Sequence, residues 1–214
     1  MTTESVDTPA GEARVTWHPA RAARLVLALG HGAGGGIEAR DLAALAAALP
    51  ARGVTVALVE QPWRVAGKKV AAAPGTLDAG WRAVWPVLRR PGLPVVAGGR
   101  SAGARVACRT AVELDAAGVL ALAFPLHPPG RPEKSREAEL LGADRPVLVV
   151  QGGRDPFGRP EEFPAPAGAD PYELVEVAHA DHGFAVPKKA GPTQEETLAA
   201  ITGAVGPWLD RLIG

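Results

Sequence analysis

The sequence predicts the α/β class: a mostly parallel central sheet of six to seven strands with helices on both faces. Three observations carry that reading. Short apolar, β-branched runs alternate with helix-length amphipathic stretches along most of the 214 residues. The run at residues 24–29 is continuously apolar from Leu25, as in a strand covered on both faces, rather than alternating. Segments between successive runs are long enough for helical crossovers, which parallel strands require.

Taken in order, residues 1–12 are polar and acidic and read as a flexible tail, with 13–214 forming one domain. Residues 14–17 are a first strand and 24–29 a second. A helix over 38–49 places Leu42, Leu45 and Leu49 on one face, and Gly53 follows shortly after it. Strand 54–59 precedes a helix over 76–88, whose stripe is Leu77, Trp81, Val84 and Leu88. Strand 94–97, helix 102–114, and strands 119–124, 147–151 and 172–177 complete the alternation. In the last helix Thr193 is the N-cap and Glu196 closes a capping box, with Leu198, Ile201, Val205 and Leu209 on one side. The Pro/Gly-rich stretches at 61–75, 125–132 and 156–169 read as loops. Only about two dozen residues join strand 119–124 to strand 147–151, so a cap domain has no room.

Composition excludes several functions. Lys+Arg and Asp+Glu are 23 each, so the net charge is zero and the footprint of a nucleic-acid or polybasic membrane binder is missing. No apolar run approaches bilayer length, and the N-terminus lacks the basic and apolar regions of a signal peptide. Cys108 is alone and cannot form an internal disulfide; seven residues past Ser101 on a helix, it is expected to be buried and inert. The expectation is a cytoplasmic enzyme acting on a small molecule, with no metal and no cofactor, since no His/Cys cluster has ligand spacing.

Two glycine loops bear on chemistry. The first, Gly30-His31-Gly32-Ala33-Gly34-Gly35-Gly36, follows a strand and satisfies G-x-G-x-x-G, with Glu60 where a ribose-binding acid would stand. Glycines there turn backbone N–H groups toward an anion or oxyanion, so a nucleotide-binding oxidoreductase remains an alternative. The second, Gly99-Arg100-Ser101-Ala102-Gly103, is G-x-S-x-G between a strand and a helix, the setting of a nucleophile at a strained turn. The chain holds only three serines, Ser5, Ser101 and Ser135.

A serine hydroxyl needs a base, and the base an orienting acid, in the chain order Ser, acid, His on this kind of fold. Asp155 follows strand 147–151, and His182 follows strand 172–177. Asp144 and Asp170 precede their strands and so emerge at the wrong sheet end; Asp181 adjoins His182 and shapes its turn. His179 is the rival base. His18 and His127 are expected at the surface or in packing, and His31 as a brace of the glycine loop. Arg100, with Arg64, Lys68, Lys69, Arg131, Lys188 and Lys189, could attract an acidic substrate or be solvated loop charge. Trp63, Trp81, Trp85 and Phe184 could line a pocket, although the helical stripe makes Trp81 a core residue.

These two loops, with Pro125-Leu126-His127-Pro128-Pro129-Gly130, Gln151-Gly152-Gly153-Arg154-Asp155 and Asp181-His182-Gly183-Phe184, resemble the small lidless α/β-hydrolases related to dienelactone hydrolase. That group includes the testis-expressed and non-specific-lethal-complex hydrolase-like proteins. The resemblance implies an α/β-hydrolase fold and an esterase-type serine hydrolase, with Ser101 as nucleophile, Asp155 as acid and His182 as base. It further implies an oxyanion hole from the N–H groups of Ala102 and Ala33, with His31, Trp63, Arg100 and Phe184 as possible substrate contacts. Some members of the group act mainly as complex subunits, so a catalytically silent interaction module is a second alternative.

Overall fold

The computed structural model describes residues 1–164 and 172–213. Among them the sequence forms eight strands: β1 Thr2–Thr8, β2 Gly11–His18, β3 Leu25–Gly30, β4 Val54–Glu60, β5 Val95–Arg100, β6 Val119–Leu122, β7 Val147–Gly152 and β8 Glu173–Val177. They make one sheet in the order β1-β2-β4-β3-β5-β6-β7-β8. β1 and β2 pair antiparallel, as do β2 and β4; every pairing from β4 through β3 to β8 is parallel. The helices are α1 Arg40–Ala48, α2 Pro62–Val65, α3 Pro74–Leu88, α4 Ala102–Thr110, α5 Glu137–Leu141 and α6 Gln194–Ile213.

β3 shows how one strand serves two faces. All six of its residues are buried. Leu25, Leu27 and Leu29 join the core beneath α1 and α6, with Leu42, Leu45, Ile201 and Val205. Val26 and Ala28 join the opposite core, with Trp81, Val84 and Trp85 of α3. Large side chains on one face and small ones on the other leave the second face room for two indoles. α1 ends in a 3-10 turn, Leu49–Arg52, closed by Gly53 at φ 77°; a Cβ there would meet the Ala22 carbonyl oxygen at 2.9 Å. At α6 the capping box forms: the Thr193 N–H donates to Glu196 Oε2 at 2.7 Å, and the Glu196 N–H to Thr193 Oγ1 at 3.2 Å.

The structure corrects the expectation of a flexible tail over residues 1–12. Residues 2–8 are an edge strand in register with β2, Thr2 opposite Trp17 and Thr8 opposite Gly11. Val6 is the segment's sole large apolar residue because both sides of this edge are mostly wet; β-branched threonines still favour extended backbone. The Trp17 indole N–H donates to Glu4 Oε1 at 2.7 Å and anchors the strand. The sheet therefore has one strand more than the upper expectation.

Smaller differences concern ends. The strand expected over 94–97 continues through Gly98 and Gly99 to Arg100, and the helix expected over 102–114 stops at Thr110. Between β6 and β7 stand only a 3-10 turn, Pro132–Lys134, and α5, so no cap covers this edge. The end of the loop expected over 156–169, the rival acid Asp170 and Gly214 lie outside the described residues. No helix among the described residues is long and apolar enough to cross a membrane.

Candidate active site

Ser101 stands between the last residue of β5 and the first of α4, with φ 54° and ψ −110°. An L-residue adopts such a backbone only when its surroundings impose it. Here the surroundings are glycines. A Cβ on Gly99 would lie 2.5 Å from the Gly30 carbonyl oxygen, and one on Gly103 would lie 2.4 Å from the same atom. The two glycines flanking Ser101 let the elbow seat against the first glycine loop backbone to backbone. That loop's own helix, α1, starts only at Arg40, four residues beyond Gly36. Gly30 and Gly32 of G-x-G-x-x-G thus serve a close approach to the elbow, while a Cβ on Gly35 would meet nothing within 4 Å, and the direct loop-to-helix turn of a dinucleotide site is not formed.

Opposite Ser101, the loops after β7 and β8 bring in Asp155 and His182. The Ser101 hydroxyl donates to His182 Nε2 at 2.9 Å, and His182 Nδ1–H donates to Asp155 Oδ2 at 2.7 Å. Asp155 also receives the Gln151 side-chain N–H at 2.9 Å and the Phe157 backbone N–H at 2.8 Å. A carboxylate collecting N–H donors from three residues fixes the tautomer: the His182 proton sits on Nδ1, leaving Nε2 free to accept. Asp155 is fully buried, whereas the His182 side chain is about one-fifth exposed at 19%. The chain of bonds runs from the interior to an accessible hydroxyl. Phe157 lies against the His182 ring, centroids 4.2 Å apart.

Ala33 of the first loop and Ala102 of the elbow line one narrow cleft together with His31, Trp63, Leu77 and Val106. Ala102 is the first residue of α4, so its N–H has no partner within the helix. Among the described residues no group of three or more His, Cys, Asp or Glu side chains could hold a metal ion.

A family model described as an alpha/beta hydrolase domain matches residues 21–210. The chain belongs to the α/β hydrolase family. No curated protein matches it. Solved structures similar to it include a serine hydrolase without a lid from Xanthomonas campestris, 21% identical at a TM-score of 0.69, covering 97% of this chain and 94% of that one. Dienelactone hydrolase from Anabaena variabilis is 18% identical at 0.74, covering 100% and 98%. Est1E from Butyrivibrio proteoclasticus is 15% identical at 0.74, covering 100% and 99%. At these identities the likeness is one of fold.

In this α/β hydrolase the other expected site residues divide. Trp63 lines the cleft. His31 also reaches it, but both ring nitrogens are occupied: Nδ1–H donates to the Gly32 carbonyl at 2.9 Å, and Nε2 accepts the Gln61 N–H at 3.0 Å. Burial holds its pKa below the usual histidine value, matching a neutral brace. Arg100 faces inward, donating to the His182 carbonyl at 2.7 Å, with Nε 3.6 Å from the buried carboxyl of Asp41. Burial pushes the Asp41 pKa up, and Arg100 opposes that shift. This guanidinium ties the elbow to the His182 loop and lies beside α1, the arrangement of a brace. Phe184 is corrected outright: it is fully buried in the α1/α6 core.

The rivals are elsewhere. His179 is exposed in a turn at φ 61°, and Asp144 is exposed just before β7. His127 holds Glu162 at 2.9 Å. Cys108 is buried, its thiol pushed up to about 12 by desolvation. Sequence reasoning missed Gln151, Phe157 and Asp41. Gln151 carried a signal, an amide closing the apolar run Val147–Val150 four residues before Asp155; Phe157 and Asp41 carried none.

Proposed function

We propose that the protein is a serine hydrolase of esterase type, cleaving small esters, thioesters or related acyl substrates through an acyl-enzyme. The observation that carries the reading is the unbroken Ser101–His182–Asp155 hydrogen-bond chain, begun at a residue with the backbone strain of a nucleophile elbow. His182 Nε2 takes the hydroxyl proton as Ser101 Oγ attacks the carbonyl carbon. Asp155 keeps the imidazole oriented and balances its charge once protonated. The N–H groups of Ala33 and Ala102 receive the oxyanion of the tetrahedral intermediate. His182 then protonates the leaving alcohol, and water, deprotonated by the same nitrogen, releases the acid.

With no cap over the site, short-chain acyl groups fit this reading better than long ones. From the resemblance of its motifs we read the protein as a relative of the dienelactone-hydrolase-related group that includes the testis-expressed and non-specific-lethal-complex hydrolase-like proteins, acting in the cytoplasm. The test is hydrolysis of p-nitrophenyl acetate by the unmutated protein and by Ser101→Ala. A loss of about 10,000-fold or more in kcat is expected; equal rates would remove the reading.

A further inference from the structure

Two hollows adjoin at one wall. The cleft beside Ala33 and Ala102 has a free volume of ≈ 10 Å³, about the space of one water. On the other side lies an open groove of ≈ 540 Å³, bounded by the β1–β2 turn, α2 and the start of α3, with Val65, Lys68 and Val70 along it. Gln61, Trp63 and Leu77 line both. Trp63 is the bulk of that wall, and only 5% of it is exposed.

The wall is fixed from behind. The Trp63 indole meets the His31 ring edge-on, centroids 5.4 Å apart. His31 is itself pinned between the Gly32 carbonyl and the Gln61 N–H. The Gln61 amide reaches across to the Leu77 carbonyl at 3.3 Å, joining α2 to α3. Each contact opposes rotation of the indole into the groove.

From this arrangement we infer that Trp63 sets the acyl-chain limit of the enzyme. It ends the acyl side of the site after an acetyl-sized group and shuts off a groove that could hold a chain several methylenes longer. The substrate class is therefore the acetyl ester and its near relatives. The inference rests on the serine-hydrolase reading. Its quantitative content follows from burial: a methylene fully transferred from water to an apolar surface adds about fourfold to kcat/KM, and because Glu12, Arg14 and Lys68 also line the groove the gain per methylene here is smaller.

The experiment measures kcat/KM for p-nitrophenyl acetate, butanoate and octanoate with the unmutated protein, Trp63→Ala and Trp63→Phe, beside labelling of each by a fluorophosphonate probe. The unmutated protein should prefer acetate to octanoate at least tenfold. In Trp63→Ala the octanoate-to-acetate ratio should rise by about tenfold or more, with Trp63→Phe between. Phe keeps most of the buried bulk, so it retains a folded test if the alanine variant is too unstable to purify. An unchanged ratio in a variant that still labels overturns the inference and leaves the hydrolase reading standing. An unmutated protein that takes octanoate as readily as acetate overturns it too. If the folded, unmutated protein neither labels nor cleaves acetate, the hydrolase reading fails and the inference falls with it.

Discussion

The two halves of the site are built by different physics. The Ser101 half is an arrangement of backbones: Gly99 and Gly103 let the elbow press on the Gly30 carbonyl at distances a Cβ would not allow. The Asp155–His182 half has one such approach, a Cβ on Gly152 falling 2.6 Å from the Ala180 carbonyl oxygen, and beyond it relies on single hydrogen bonds, through which Gln151, the Phe157 N–H and Arg100 hold the acid and the histidine loop. The first half tolerates no added atom. The second should give way gradually as single hydrogen bonds are removed, and substitutions in the two halves ought to separate accordingly.

The largest effect is expected on the backbone side. Gly103→Ala adds a methyl 2.4 Å from a carbonyl oxygen, so strand and loop must part. Overpacking of this kind costs about 1–3 kcal/mol or more of stability. Displacing Ser101 by about an ångström should lower kcat by roughly 100-fold. Thermal melts and ester hydrolysis on one preparation check both; wild-type stability and rate would show that the glycines are incidental.

On the side-chain side, Gln151→Leu removes one of the N–H donors on Asp155. Hydrogen bonds to charged groups contribute about 1.5–3 kcal/mol, so kcat should fall roughly tenfold to 100-fold while KM barely moves. A drop as large as that of Ser101→Ala would mean that this half is as unforgiving as the first.

The smallest effect concerns the brace behind the first glycine loop. Burial lowers the His31 pKa from 6.5, so the unfolded chain takes up this proton at a higher pH than the native one. Native stability from the neutral ring is thus complete above the unfolded value and is lost as pH falls below it. The melting temperature should fall between about pH 7 and about pH 5, and less so in His31→Gln. Identical falls in both proteins would assign the acid sensitivity to other groups.

The same contrast explains how far the sequence could be read. Gly99, Ser101 and Gly103 are contiguous, and the backbone geometry they permit is local, so the elbow is visible as a string. Asp155 and His182 are visible through their positions after strands. What braces them is not: Arg100 reaches across 82 positions to the His182 carbonyl, and no local pattern records that. Phe184 illustrates the reverse error, an apolar residue beside a site residue in the chain that turns at φ 53° into the opposite core. β1 was hidden for a third reason. An edge strand wet on most of its surface has the composition of a tail, and only pairing with β2 distinguishes the two.

The most direct test of the account is covalent. Incubation with a fluorophosphonate, followed by mass mapping of the adduct, should place one phosphonyl group on Ser101. Ser101→Ala should remain unlabelled, and His182→Ala should label far more slowly. A folded protein that stays unmodified, or is modified at Ser5 or Ser135 instead, would contradict the assignment of Ser101 as an activated nucleophile.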